Sequence, residues 1–113
     1  QSGVIKMENF HVVKRYRREH KATGIWEEYQ SVFTTFEGKY GRAQARNTMD
    51  ALAFGFLSDA KNEGATFAID HDKPDTVQVS SELNGATETV EMFLTENPEQ
   101  YEYYSRYSEH HEI

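Results

Sequence analysis

Residues 76–95 read TVQVSSELNGATETVEMFLT, and this stretch decides the fold. The Asn84-Gly85 dipeptide favours a type I′ turn, which joins two antiparallel strands through two residues. A two-residue turn at this position pairs apolar residues across the hairpin, namely Leu83 with Ala86, Val79 with Val90 and Val77 with Met92. We therefore expect strands at residues 76–83 and 86–95. A helix over residues 87–96 is the alternative, because Val90, Phe93 and Leu94 also fit one helical face.

The segment before this hairpin predicts an amphipathic helix over residues 42–62. Small and apolar residues recur there at helical spacing: Ala45, Met49, Leu52, Ala53, Phe56, Leu57 and Ala60. Gly64 follows as a C-terminal stop, and we expect Gly55 to allow a close crossing over a sheet.

Three further strands and a second helix complete the prediction. Residues 10–18, 25–36 and 65–70 are rich in aromatic and β-branched residues, and a Lys21–Gly24 turn joins the first two. Asn97-Pro98 resembles an N-cap followed by proline at the first helical position, so we expect a helix over residues 98–108.

These elements predict a small single α+β domain in the order β-β-α-β-β-(β)-α. An antiparallel sheet of 4–5 strands would carry two helices packed on one face. The length of 113 residues fits one domain. We interpret residues 1–3 as a tag remnant and residues 4–113 as the domain. No apolar run approaches the ~20 residues of a membrane helix, and the sequence has no cysteine, so we expect a cytoplasmic protein without a membrane partner.

The formal net charge of −7 is divided unevenly along the chain. Residues 1–46 hold nine basic and five acidic residues, whereas residues 47–113 hold three basic and fourteen acidic ones. The two parts therefore carry net charges of +4 and −11. Such asymmetry is informative about partners and electrostatic steering.

The acidic half suggests the leading hypothesis for function. Glutamates recur there every few residues with tyrosines between them, and regularly placed carboxylates can imitate a nucleic-acid backbone. We expect a non-enzymatic protein that binds a protein with a basic surface, for example as an inhibitor of a nucleic-acid-handling protein. The expected contacts are Glu88, Glu91, Glu99, Glu102, Tyr103 and Tyr107. A solvated acidic face that serves solubility is the structural alternative.

The basic half suggests a second hypothesis, a nucleic-acid-binding module. Its residues are Lys14, Arg15, Tyr16, Arg17, Arg18 and Lys21, in which cations can bind phosphates and the aromatic ring can stack on a base. Cross-strand ion pairs with Glu19, Glu27 or Glu28 would absorb much of this charge. A third hypothesis is a head-to-tail homo-oligomer, in which the basic hairpin of one copy meets the acidic end of the next.

Signals for catalysis and metal binding are weak. Asp70, Asp72 and Asp75 could bind Mg²⁺ or Ca²⁺ through clustered oxygens, but Asp and Pro are also common turn residues. The adjacent His110 and His111 have no metal-ligand spacing, and Gly38–Arg42 matches no phosphate-binding motif. We expect no enzymatic activity and no cofactor.

Overall fold

The structure, a computed structural model, describes residues 8–71 and 73–108. Six strands and one helix form the elements of this part of the chain: β1 Asn9–His20, β2 Trp26–Glu37, α1 Gly41–Asn62, β3 Thr66–Asp70, β4 Thr76–Leu83, β5 Ala86–Thr95 and β6 Tyr104–Tyr107. A single 3₁₀ turn, Pro98–Gln100, lies between β5 and β6. The part of the chain that the structure describes is therefore a small α+β domain with one sheet and one helix.

All strand pairs in the sheet are antiparallel, and the strand order is β3-β4-β5-β1-β2-β6. The hairpin of β4 and β5 has the predicted register, including Leu83 opposite Ala86 and Val77 opposite Met92. Asn84 and Gly85 have φ values of 53° and 78°, as a type I′ turn requires. The strand prediction for residues 86–95 is confirmed, and the helical alternative is wrong.

The core lies between α1 and one face of the sheet, which we call the helix face. Alternate residues of the central strands point there, and α1 contributes small side chains that let its backbone approach closely. The buried cluster consists of Phe10, Val12, Ala45, Met49, Ala53, Val77, Val79, Val90 and Met92. Residues 42–62 were thus correctly predicted as a helix with its apolar side toward a sheet.

The closest approach of α1 to the sheet is at a different glycine from the one expected from the sequence. Gly55 is exposed, and a Cβ atom there would have no neighbour within 4 Å, so the expected close crossing at Gly55 is wrong. The close approach occurs instead at Gly41, where a Cβ atom would lie 3.0 Å from the Phe10 ring and 3.1 Å from the Phe36 carbonyl oxygen. Gly64 has a φ of 79° beyond the C-terminus of α1, as expected of a stop residue.

The predicted helix over residues 98–108 is wrong. Asn97 forms no side-chain cap, helical structure ends at Gln100, and Tyr104–Tyr107 pairs with Glu27–Gln30 of β2. The free edge of β2 provides backbone partners for this segment, and such tertiary pairing overrides a weak local helical preference. Within residues 8–71 and 73–108, the sheet therefore has six strands rather than 4–5, and one helix rather than two packs on it.

The face opposite α1, which we call the open face, is crossed by the chain between β5 and β6. These two strands lie on either side of the β1–β2 pair, so residues 96–103 must pass over it. We call residues 96–103 the crossing segment. Val13, on the open face, is fully buried although α1 lies on the other side. No helix in the described residues is long and apolar enough to span a membrane.

Candidate protein-binding surface

The crossing segment is held on the open face by an aromatic contact and a buried amide. The Tyr101 ring meets the Phe93 ring edge-on, with centroids 4.9 Å apart. Gln30 is only 4% exposed; its Nε2 donates a hydrogen bond of 2.9 Å to the Glu102 carbonyl oxygen, and its Oε1 accepts one of 2.6 Å from Arg15 Nε. The segment is thus fixed through both its backbone and a side chain.

Arg15 occupies the centre of this arrangement. Its guanidinium lies 5.0 Å from the centroid of the Phe93 ring and 5.8 Å from that of Tyr101, which are distances typical of cation–π contacts. Arg15 Nη1 also lies 3.4 Å from the Glu91 carboxylate. Arg15 therefore bridges β5, β2 and the crossing segment from its place on β1.

The outward side of the crossing segment is acidic and aromatic. Glu96, Glu99 and Glu102 are exposed, and none of them forms an ion pair with any residue that the structure describes. Tyr103, beside Glu102, keeps 72% of its surface exposed. We call Glu96, Glu99, Glu102 and Tyr103 the acidic crossing surface. Its carboxylates are available to a partner without breaking a contact between described residues.

The cations of the basic hairpin are largely engaged with carboxylates of the same sheet. Arg17 lies 2.9 Å from Glu19 and 3.2 Å from Glu28, and its guanidinium also covers the Trp26 ring. The hydrogen bond that Arg17 donates to Glu19 raises the pKa of Arg17 above its ordinary value. Lys21 lies 2.7 Å from Glu82. Of these contacts, Arg17–Glu28 is one of the cross-strand ion pairs that the sequence offered as the structural alternative, whereas Glu19 lies on the same strand as Arg17 and Glu82 was not among the expected partners.

The remaining residues of the basic hairpin point to the helix face. Lys14 lies 5.9 Å from the centroids of both the Tyr29 and Phe33 rings. The Tyr16 ring stacks on Tyr29, and its hydroxyl donates a 3.0 Å hydrogen bond to Glu88. Burial, and next the contact with Glu88, raise the pKa of Tyr16 well above its usual value. The six residues expected to contact nucleic acid are therefore divided between the two faces.

Arg18 differs from the other arginines of this hairpin. Its Nε is buried and has no hydrogen-bond partner among the described residues. It lines a pocket of about 290 Å³ together with His20, Ile25, Trp26, Glu27 and Tyr107. The pocket contains both a cation and a carboxylate, so its own charge selects neither anions nor cations.

The structure brings together only some of the residues expected to bind a protein. Glu99, Glu102 and Tyr103 lie in the crossing segment. Glu88 accepts from Tyr16 on the helix face, and Glu91 is paired with Arg15. Tyr107 is 72% exposed, but it lies on β6, where it pairs with Glu27 of β2, and it lines the Arg18 pocket.

Two residues were not predicted from the sequence: Glu96, which belongs to the acidic crossing surface, and Gln30, which anchors the crossing segment from below. Glu96 has the same three-residue spacing as Glu99 and Glu102, and this spacing could have identified it. Gln30 gives no such signal, because a lone glutamine in a strand does not reveal that a distant segment will cross above it.

The weak metal candidates do not form a site in the described residues. Asp75 is paired with Arg42 and also lies 3.8 Å from Arg46, and Asp70 lies in the edge strand β3. Asp72 lies outside the described residues, as do His110 and His111. No group of three or more His, Asp or Glu side chains in residues 8–71 and 73–108 is placed to hold a metal ion.

Comparisons with protein-family models, with curated proteins and with solved structures gave no match to this chain.

Proposed function

We propose that this protein acts without catalysis, by binding a partner protein that has a basic surface, and that the acidic crossing surface makes the contact. The observation that carries the proposal is that, among the described residues, two arginines of the open face are in ion pairs while three glutamates of this face are not. Arg15 and Arg17 are in ion pairs there, whereas Glu96, Glu99 and Glu102 are exposed and unpaired among the described residues. The charge that remains for a partner is therefore negative.

The composition of the surface suits a steered encounter. Unpaired carboxylates on a protein of net charge −7 attract a cationic partner over about a Debye length, which is ~8 Å at physiological salt. Tyr103 adds a large amphipathic ring, and tyrosine is enriched among the residues that dominate binding energy. Steering would come from the glutamates, and contact area from the tyrosine.

The anchoring of the segment also supports this function. Gln30 and Tyr101 hold the crossing segment against the sheet, so its carboxylates are presented by a fixed backbone. A pre-organised surface loses less conformational entropy on binding than a free loop. A more specific form of the proposal is an inhibitor whose row of carboxylates occupies the basic groove of a nucleic-acid-handling protein.

A comparison of two charge-matched variants tests the proposal. In the first, Glu96→Gln, Glu99→Gln and Glu102→Gln neutralise the acidic crossing surface. In the control, the same change is made at the exposed carboxylates of Glu37 and Glu63, with Asp59→Asn. Both variants have the same net charge, so they separate a local surface from bulk acidity. Wild type and variants are used to capture proteins from nuclease-treated cell extract at low and moderate salt.

We expect wild type and control to retain the same basic protein and the crossing-surface variant to lose it. Binding of the identified partner should weaken by about tenfold or more in that variant, chiefly through slower association, because long-range attraction acts before contact. Equal retention by all three proteins would refute the assignment of this surface. Loss of capture in both variants would show that only bulk charge matters.

A further inference from the structure

The Arg18 pocket is a concave site that the proposed function does not use. It lies at the end of the β1–β2 hairpin, where β6 forms its third side. The backbone on one side is closed by a 2.8 Å hydrogen bond from His20 N to the Ile25 carbonyl oxygen. On the other side, Ser108 N donates a 2.8 Å hydrogen bond to the Trp26 carbonyl oxygen. The pocket is therefore built from hydrogen-bonded backbone and is formed before any ligand arrives.

Arg18 and Glu27 are opposite each other on β1 and β2 but do not form an ion pair. Their side chains lie on the helix face, because strand residues alternate and the neighbouring Arg17 and Glu28 lie on the open face. Arg17 and Glu28 form an ion pair across the same two strands. Neither Arg18 nor Glu27 forms an ion pair with any described residue, and both line the pocket. A cation and a carboxylate are thus both available to a ligand there.

The Arg18 guanidinium lacks a hydrogen-bond acceptor. Its Nε is buried and has no partner among the described residues, and a donor that is removed from water without a partner costs free energy. A carboxylate binds a guanidinium through two parallel hydrogen bonds, and such charge-assisted pairs are among the strongest hydrogen bonds in proteins. A ligand carboxylate in the pocket would therefore give this guanidinium the acceptor that it lacks.

A carboxylate on either side of Arg18 disfavours a ligand that is a simple anion. Glu27 lies opposite Arg18 on β2, and Glu88 lies opposite it on β5. Glu88 accepts a hydrogen bond from Tyr16, whereas Glu27 is exposed and has no ion pair with a described residue. A ligand with a carboxylate alone would be repelled by Glu27, and one with an ammonium group alone would be repelled by Arg18. A ligand that carries both charges close together satisfies both residues.

The rest of the pocket indicates a small ligand with an apolar part. Ile25 and Trp26 are half-buried where they line the pocket, and Tyr107 is exposed beside them. Small-molecule sites commonly have volumes of about 300–1,000 Å³, and this pocket of about 290 Å³ lies just below that range. It is therefore suited to a ligand of few atoms.

We infer that the Arg18 pocket binds a small zwitterion, of the class of free α-amino acids with an apolar side chain. Arg18 binds the carboxylate and Glu27 binds the ammonium group, while the apolar side chain lies against Ile25 and Trp26. A single carbon atom separates the two charged groups of such a ligand. The two residues that bind them are directly opposite on adjacent strands, where Cα atoms are about 4.5–5.5 Å apart, so the charges of pocket and ligand match in sign and in spacing.

Three probes that differ in one charged group test this inference. L-leucine has both groups, leucinamide keeps only the ammonium group, and N-acetyl-leucine keeps only the carboxylate. Binding to the full chain is measured by titration calorimetry and by the fluorescence of Trp26, which is the single tryptophan of the chain and lines the pocket. L-leucine should bind about tenfold or more tightly than either analogue, because each analogue leaves one charge of the pocket without a partner.

Single-residue variants assign each charged group of the ligand to its residue. Arg18→Met removes the guanidinium with little change in length, and it should abolish the preference for leucine over leucinamide. Glu27→Gln should abolish the preference for leucine over N-acetyl-leucine. Each change should weaken leucine binding by about tenfold or more. The matched controls Arg106→Met and Glu37→Gln remove the same charges at exposed positions outside the pocket and should bind leucine like wild type, and melting curves report whether every variant folds.

Three results would overturn the inference. They are no binding of L-leucine to wild type up to about 10 mM, equal binding of the three probes, or a folded Arg18→Met or Glu27→Gln variant that binds leucine as tightly as its control. The variant that neutralises the acidic crossing surface should bind leucine like wild type, because Glu96, Glu99 and Glu102 do not line the pocket. The two proposals therefore fail independently.

Discussion

Replacing Gln30 with leucine should destabilise the protein by about 2–3 kcal/mol. The side chain makes a hydrogen bond to the charged Arg15, a class worth about 1.5–3 kcal/mol, and a neutral one to the Glu102 carbonyl, worth about 0.5–1.5 kcal/mol. Since the Arg15 side chain is 43% exposed, water would satisfy part of what it loses, and we take the lower half of the combined range. Leucine has similar size, so the loss reports hydrogen bonding rather than a cavity.

Urea unfolding measures the total effect, and hydrogen exchange of the crossing segment measures its location. We expect the urea concentration at the unfolding midpoint to fall. We also expect the backbone amides of residues 96–103 to lose protection from hydrogen exchange before those of β5. Gln44→Leu, at an exposed position on α1, is the matched control and should change stability by less than about 0.5 kcal/mol. An equally small change at Gln30, with unaltered exchange in the crossing segment, would refute the view that this amide anchors it.

Three further predictions concern the helix, the buried tyrosine and the basic hairpin. Gly55→Ala should raise the free energy of unfolding in urea by about 0.5–1 kcal/mol, because the site is exposed and a Cβ atom there meets no neighbour. Gly41→Ala should lower it, because the added methyl group would lie 3.0–3.1 Å from Phe10 and Phe36 atoms. Tyr16 stays protonated in the folded protein above its unfolded pKa of about 10. The free energy of unfolding should therefore fall by up to about 1.4 kcal/mol per pH unit above that value, and it should fall less steeply in the Tyr16→Phe variant. Fluorescence anisotropy should show no steeply salt-dependent binding to DNA or RNA, since Arg15 and Arg17 are already paired with carboxylates; strong binding lost in their glutamate variants would contradict this.

The parts of the fold that local chemistry determines were predictable from the sequence. The Asn84-Gly85 turn sets the register of β4 and β5, and the apolar periodicity of residues 42–62 sets the helix and its buried side. Both signals come from residues that are close in sequence, and few backbone conformations are compatible with either of them. The strand Thr76–Leu83 was predicted with its observed bounds for that reason.

The C-terminal segment was not predictable, because its structure depends on a distant edge. Asn97-Pro98 is a good helix start in isolation, yet Tyr104–Tyr107 gains backbone hydrogen bonds from β2, more than 70 residues earlier in the chain. The same difficulty applies to the candidate surface. Glu99, Glu102 and Tyr103 were named from composition, but the amide of Gln30 that holds them could be identified only after the sheet order was known.

The sheet order also changes the meaning of the charge asymmetry. The basic strand β1 lies between β2 and β5, so its cations face carboxylates on both sides, including Glu28 on β2 and Glu91 on β5. Two cations of β1, Arg15 and Arg17, are thus paired within the sheet by carboxylates from both halves of the chain, Glu28 from the first and Glu91 from the second. The crossing segment has no strand beside it and contributes three glutamates without a basic residue. The crossing segment lies outside the strand pairing of the sheet, and its three glutamates form no ion pair with any described residue. This is the surface to which we assign binding.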